Sequence, residues 1–126
     1  MSVVLDAGAL VAIERGDRKL AAVVKREFAN GRVPLTHGGV IGQVWRGGRG
    51  RQARLARTLR GINVVPVDDD LGRRAGMLLG RTGLSDVIDA AIVLIAEDGD
   101  DIYTADPGDL RDLAGEAGKF IELVEV

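Results

Sequence analysis

The sequence predicts an α/β protein built on a parallel sheet, and three observations lead there. Short apolar runs such as Ser2-Val3-Val4-Leu5-Asp6 and Ile62 to Val67 alternate along the chain with longer helix-like segments. The first of these runs shows no polar alternation, the mark of a strand buried on both faces. The 126 residues suit a single domain spanning residues 1–126 and leave no room for two.

The elements follow in order. Ser2 to Asp6 reads as the first strand, and Ala7 to Ile13 as a helical turn or two directly after it. Asp17 can cap a second helix running to about Ala29, with Asn30-Gly31 as its stop. Val33 to Thr36 is a brief strand. Val40 to Trp45 and Arg51 to Leu59 are helical, divided by Gly47-Gly48 and Gly50. Ile62 to Val67 is β-branched and bounded by Gly61 and Asp68, so it is a strand. Asp68 can cap a helix over 70–81, with Gly83 past its end, and Ser85 a helix from Asp86 to Glu97. Ile102 to Thr104 is a short strand ending near Asp106, Pro107 fits the first turn of a further helix, and Phe120 to Val124 closes the sheet.

Composition narrows the function. Hydrophobic residues make up 46% of the chain and aromatics only 3%, so the core must be aliphatic. The formal net charge is −2, whereas a protein that coats nucleic acid is usually basic, so contact with nucleic acid must rest on a local patch or on a metal that offsets the acids. The absence of Cys excludes disulfides and thiolate metal sites. No segment has the length and apolarity to cross a membrane, and a soluble cytoplasmic protein is expected.

Sites in parallel sheets form at the carboxyl ends of strands, and Asp6 and Asp106 each stand just past one. Asp86 and Asp89 are three apart on one predicted helix and so share a face. Each acid has a simpler role open to it. Asp6 suits a helix cap, Asp86 a favourable charge at a helix N-terminus, and Asp106 a turn before Pro107. Asp89 stands among Val87, Ile88, Ala90, Ala91 and Ile92, where an unpartnered acid is costly. Carboxylates brought together repel, and a hard divalent cation relieves the repulsion. Oxygen-only ligands suit Mg²⁺ or Mn²⁺, which can activate water at a phosphodiester.

Three segments resemble the PIN-domain family, particularly the VapC-type toxins. They are Val3-Val4-Leu5-Asp6-Ala7-Gly8-Ala9-Leu10, then Gly83-Leu84-Ser85-Asp86-Val87-Ile88-Asp89-Ala90-Ala91, then Tyr103-Thr104-Ala105-Asp106-Pro107-Gly108-Asp109-Leu110. They occur in family order and span nearly the whole chain. The resemblance implies a three-layer sandwich with a central parallel sheet of about five strands flanked by helices. It implies Mg²⁺ or Mn²⁺ held by Asp6, Asp89 and Asp106, with Asp86 as a further ligand or water-positioning group. Thr104 would be the hydroxyl residue beside the site. It also implies an RNA substrate, a cognate antitoxin protein as partner, and a homodimer. One position departs from the pattern: the helix after the second strand usually carries an acid, and Gln43 stands there. Asp86 can replace the lost charge. A neutral residue at that place also leaves open a degenerate PIN domain that binds RNA or protein without cutting.

Two other aspartate chemistries fit less well. Haloacid-dehalogenase phosphatases need a second Asp two residues after the first, where this chain has Gly8, and a response-regulator receiver needs an acidic pair near the first strand, where Asp6 stands alone.

Arg46, Arg49, Arg51, Arg54, Arg57 and Arg60 lie together with no acid among them. The last four recur every third residue, a slanted stripe along a helix with Leu55 and Leu59 turned to the core. Arg46, Arg51, Arg54 and Arg57 are candidates for RNA phosphates, the alternative being a solvated face or a contact for an acidic partner. No aromatic lies along the stripe to stack on bases. His37 is expected to be structural, and Trp45 a core or interface residue.

Overall fold

A computed structural model describes residues 1–48 and 50–126; Arg49 of the basic stretch lies outside the described residues. The strands are β1 (Val3–Leu5), β2 (Leu35–His37), β3 (Asn63–Val65), β4 (Asp101–Thr104) and β5 (Glu122–Glu125). The helices are α1 (Ala7–Glu14), α2 (Arg18–Ala29), α3 (Gly38–Val44), α4 (Ala53–Leu59), α5 (Asp69–Thr82), α6 (Val87–Ile95) and α7 (Gly108–Ala117). All five strands form one parallel sheet in the order β3-β2-β1-β4-β5. Helices α1 to α4 gather into one layer and α5 to α7 into another, so the expected three-layer sandwich is what the chain forms. Among the described residues no helix is long and apolar enough to cross a membrane.

The core is aliphatic, as the composition requires. Val4 and Leu5 of β1, Leu10 of α1, Ile92 and Val93 of α6, and Ile102 of β4 are all fully buried. A central β1 has both faces covered, which is why its sequence lacks alternation. Three caps read from sequence hold, at two helices. Asp17 accepts from the amides of Lys19 and Leu20, and Asp68 from that of Leu71. Gly83 ends α5 in the left-handed region at φ 74°, where a Cβ would be strained.

Several boundaries are corrected. The second strand lies at 35–37 rather than 33–36, because Pro34 has no N–H for the ladder. The third is shorter than Ile62 to Val67: it is the sheet edge, and Pro66 cannot donate to continue it. The last strand begins at Glu122 rather than Phe120. The Phe120 amide donates to Asp98 and its carbonyl accepts from Gly99, so both its backbone groups serve a turn, and its ring is 83% exposed. The fourth helix begins at Ala53, past the left-handed Gly50.

The cap of α6 is Asp86, not Ser85. Its Oδ1 accepts the amides of Ile88 and Asp89 at 2.8 and 3.2 Å. Of two adjacent capping residues, the charged one gains more from the helix dipole. Asp86 therefore precedes the helix, and the expected shared face of Asp86 and Asp89 becomes a cap and a first-turn residue. Of the two places expected for Trp45, core or interface, the core is excluded: it is 40% exposed, beside Ile41, Ala56 and Leu59.

Candidate active site

The strand order reverses direction between β1 and β4, which pair directly through Leu5 and Tyr103. In open α/β sheets a crevice opens at that point, beyond the carboxyl ends of the strands. Asp6 follows β1 and Asp106 follows β4, so both acids flank the crevice. The Asp6 amide donates to the Tyr103 carbonyl at 3.2 Å, holding the two strand ends in step.

Asp6 caps α1, with Oδ1 accepting from the Ala9 amide at 3.1 Å. Burial raises its proton affinity above the ordinary value, against the nearby Thr104 hydroxyl and the amides of Ala9 and Gly8, which favour its charge. The charge of Asp106 adds to the rise. Thr104 is fully buried, and its hydroxyl accepts the Asp106 amide at 3.0 Å. One hydroxyl thus serves both strand ends. Asp106 itself is exposed and folds back toward the Gly108 amide at 3.4 Å, the turn role its sequence allowed.

Asp89 brings the third carboxylate from the first turn of α6. Its pKa is pushed up to about 6, first by burial and then by the charges of Asp86, Asp6, Asp109 and Asp106. Those four acids come from the starts of α1, α6 and α7, so the fold gathers what the sequence scatters. Asp109 is an addition that the sequence analysis quoted but gave no role. Its signal was an acid one turn after Asp106, on the same helix start.

Among the described residues, no three such side chains are grouped so as to hold an ion as they stand. The chemistry of the donor set suits a hard divalent ion, because the charged groups acting on Asp89 are all carboxylates.

The remaining candidates make no hydrogen bond or ion pair with this cluster among the described residues. Gln43 is exposed near the end of α3, and no described hydrogen bond joins it to Asp6, Asp89 or Asp106. Arg46 turns back on its own helix, donating to the carbonyls of Gly42 and Trp45 at 3.1 and 2.8 Å. Arg51 is exposed before α4. Arg54 and Arg57 line a groove with Arg18, Lys25, Val24 and Phe28. That groove also takes in Ile13 and Gly16, at the end of α1 away from Asp6, about 12 Å along a helix of this length.

His37 is structural, as expected. Fully buried, it accepts the Gly39 amide on Nδ1 at 3.0 Å and donates from Nε2 to the Ile88 carbonyl at 2.9 Å. Burial holds its pKa below the ordinary value, against the opposing pull of that carbonyl and of Asp86.

Comparison with known proteins is informative at the level of fold. No protein-family model matches the chain. No curated protein is significantly similar to it. Among solved structures, a chain in the crystal structure of VapBC2 from Rickettsia felis, bound to a DNA fragment from its promoter, superposes with a TM-score of 0.72. The alignment covers 98% of both chains at 13% sequence identity. With its parallel sheet in the order β3-β2-β1-β4-β5 and near end-to-end superposition on a chain of that structure, the chain adopts a PIN-like α/β sandwich fold.

Proposed function

We propose that this chain is a Mg²⁺- or Mn²⁺-dependent ribonuclease, the toxin of a toxin–antitoxin pair. The observation that carries the proposal is the placement of Asp6, Asp89 and Asp106 at the switch point, where burial first, and then the charges of Asp86, Asp6, Asp109 and Asp106, lift Asp89 to about 6. Such a cluster repels a phosphodiester unless a cation stands between them. Asp6, Asp89 and Asp106 would hold the ion, with Asp86 and Asp109 adding to the field that attracts it. When bound, the ion supplies an activated water and charge stabilisation at the phosphate.

The chain's own residues supply the positioning. Thr104 orients Asp6 and anchors the Asp106 amide through one hydroxyl. Asp86 fixes the start of α6 and with it Asp89. Arg54 and Arg57 offer phosphate contacts about one helix length from the acids, so they would hold a flanking stretch of RNA rather than the scissile group. The likeness to VapBC2 and the resemblance to VapC-type toxins support an antitoxin protein as partner. Self-association and an intracellular site of action belong to the same proposal.

The exposed amide of Gln43, at the place where the family usually has an acid, favours a second function: binding RNA or a partner protein without cutting. One assay separates the two. A labelled mixed RNA pool is incubated with the antitoxin-free protein in Mg²⁺, Mn²⁺ or EDTA, alongside Asp6→Asn and Asp89→Asn. Metal-dependent cleavage lost in both variants supports the nuclease. No cleavage by folded protein in either metal supports the binding module.

A further inference from the structure

The turn after β1 and the turn after β4 approach more closely than two ordinary residues permit. A Cβ placed on Gly8 would stand 2.4 Å from the Ala105 Cβ and 2.9 Å from the Ala105 backbone nitrogen. Gly8 is the second residue of α1, two residues past Asp6, and Ala105 directly precedes Asp106. The missing side chain therefore lets the turn after Asp6 pack against the residue that precedes Asp106.

The requirement for glycine here is one of contact and not of backbone angle, since Gly8 is not among the glycines with positive φ. Gly39 gives a useful contrast. A Cβ there would also meet an atom at 2.4 Å, but that atom is Cδ1 of Ile88, the end of a side chain that can swing aside. The Ala105 Cβ cannot swing, and its backbone nitrogen is nearly as close. A side chain at position 8 must push the Ala105-Asp106 segment away from Asp6. That motion pulls against the hydrogen bond that the Asp106 amide donates to the Thr104 hydroxyl at 3.0 Å.

We propose that Gly8 is a positioning residue: by letting the Ala105 backbone seat against the first turn of α1, it sets the spacing of Asp6 and Asp106 and thereby the affinity of the site for a divalent cation. The proposal rests on the metal-dependent function given above. Metal–oxygen bonds to Mg²⁺ are about 2.0–2.1 Å long and tolerate little variation. A shift on the order of 1 Å removes one carboxylate from the shell.

The test uses Mn²⁺ alone as probe, titrated calorimetrically into wild type, Gly8→Ala, Ala105→Gly and the double variant. Gly8→Ala is expected to weaken Mn²⁺ binding about 10-fold or more, in the range typical of residues that orient ligands. Ala105→Gly in the same chain removes the Cβ contact at 2.4 Å and leaves the one to the backbone nitrogen at 2.9 Å, so it is expected to recover part of that loss. Gly115→Ala, where added bulk meets nothing, should bind as wild type does. Should Gly8→Ala fail to fold, Ala105→Val loads the same contact from an exposed residue and should give the same loss.

Unchanged affinity in Gly8→Ala, or a loss the double variant does not recover, overturns the proposal. A nuclear Overhauser contact between the Gly8 α-protons and the Ala105 methyl in metal-free protein is required as well, and its absence overturns the close approach whatever the metal data. A wild type that shows this contact but binds no Mn²⁺ overturns the metal-dependent function and, with it, the role of Gly8 in metal affinity.

Discussion

The imidazole of His37 donates from Nε2 to the carbonyl of Ile88 at 2.9 Å, fastening the end of β2 to the helix that carries Asp89. The same ring caps α3 through its Nδ1. One buried side chain thus locks the first turn of α6 against a neighbouring strand, and the position of Asp89 follows from it.

Replacement of His37 by Ala leaves the Gly39 amide uncapped, removes the side-chain bond to the Ile88 carbonyl and empties a fully buried site. The expected cost is about 2 kcal/mol or more of unfolding free energy, measured by denaturant titration. The ring is neutral in the fold and held below its ordinary value of 6.5. Its contribution is therefore present above that value and lost as the pH falls through its folded pKa. His37→Ala should flatten this acid limb; an unchanged limb shows that other groups produce it.

Asp86 holds two roles that can be separated. Asp86→Ala removes the cap of α6 and should cost about 1 kcal/mol. Asp86→Asn keeps an accepting oxygen and removes only the charge, so stability should be nearly retained. Both variants should lower the Asp89 pKa from about 6, because Asp86 is the foremost of the charges raising it. Carbon-detected NMR titration of the Asp89 carboxyl reads the shift. An unmoved Asp89 would show that burial alone raises it.

Asp89 should destabilise the metal-free protein near neutrality. Its folded pKa is raised from 3.8 to about 6. The fold therefore binds the proton more tightly than the unfolded chain does. The contribution is fully present below 3.8 and is lost as the pH rises through about 6. In EDTA, Asp89→Asn should raise the melting temperature by ~3 °C above that range, and by little at acid pH. In saturating Mn²⁺ the order should reverse, because the ion stabilises only the chain that binds it. A variant that melts below wild type in EDTA at neutral pH would contradict the reading of Asp89 as a strained carboxylate.

Lys119 fastens the other end of the same helix. Its ammonium donates to the carbonyls of Val93, Leu94 and Ala96 at 3.2, 3.0 and 2.6 Å. A cation at a helix C-terminus also meets the negative end of the dipole. Lys119→Met keeps the apolar stem and strands three carbonyls, so a loss of about 2 kcal/mol is expected in denaturant unfolding. Hydrogen exchange should quicken first in the last turn of α6. A loss spread evenly over the chain would argue against a local fastening.

Much of this was legible in the sequence because it depends on short-range chemistry. Asp17 and Asp68 cap the helices that follow them because a carboxylate one residue before a helix meets free amides wherever the helix sits. The unalternating Val3 to Leu5 announced a strand covered on both sides. Boundaries slipped where a neighbour decided them. Phe120 left the ladder because Asp98 and Gly99 claimed its backbone, and Ser85 lost the cap of α6 to a charged neighbour.

By itself, then, the sequence determined the alternation of elements, the aliphatic core and the oxygen-only chemistry open to its acids. Those follow from residue type and local spacing. Only the tertiary structure decided which acids share a field. The pairing of β1 with β4 sets Asp6 beside Thr104, and the start of α7 brings Asp109 to bear on Asp89. It also turned Arg54 and Arg57 toward a groove at the far end of α1. The reason is physical: electrostatic interaction depends on distance through the fold and on burial, and neither is set by separation along the chain.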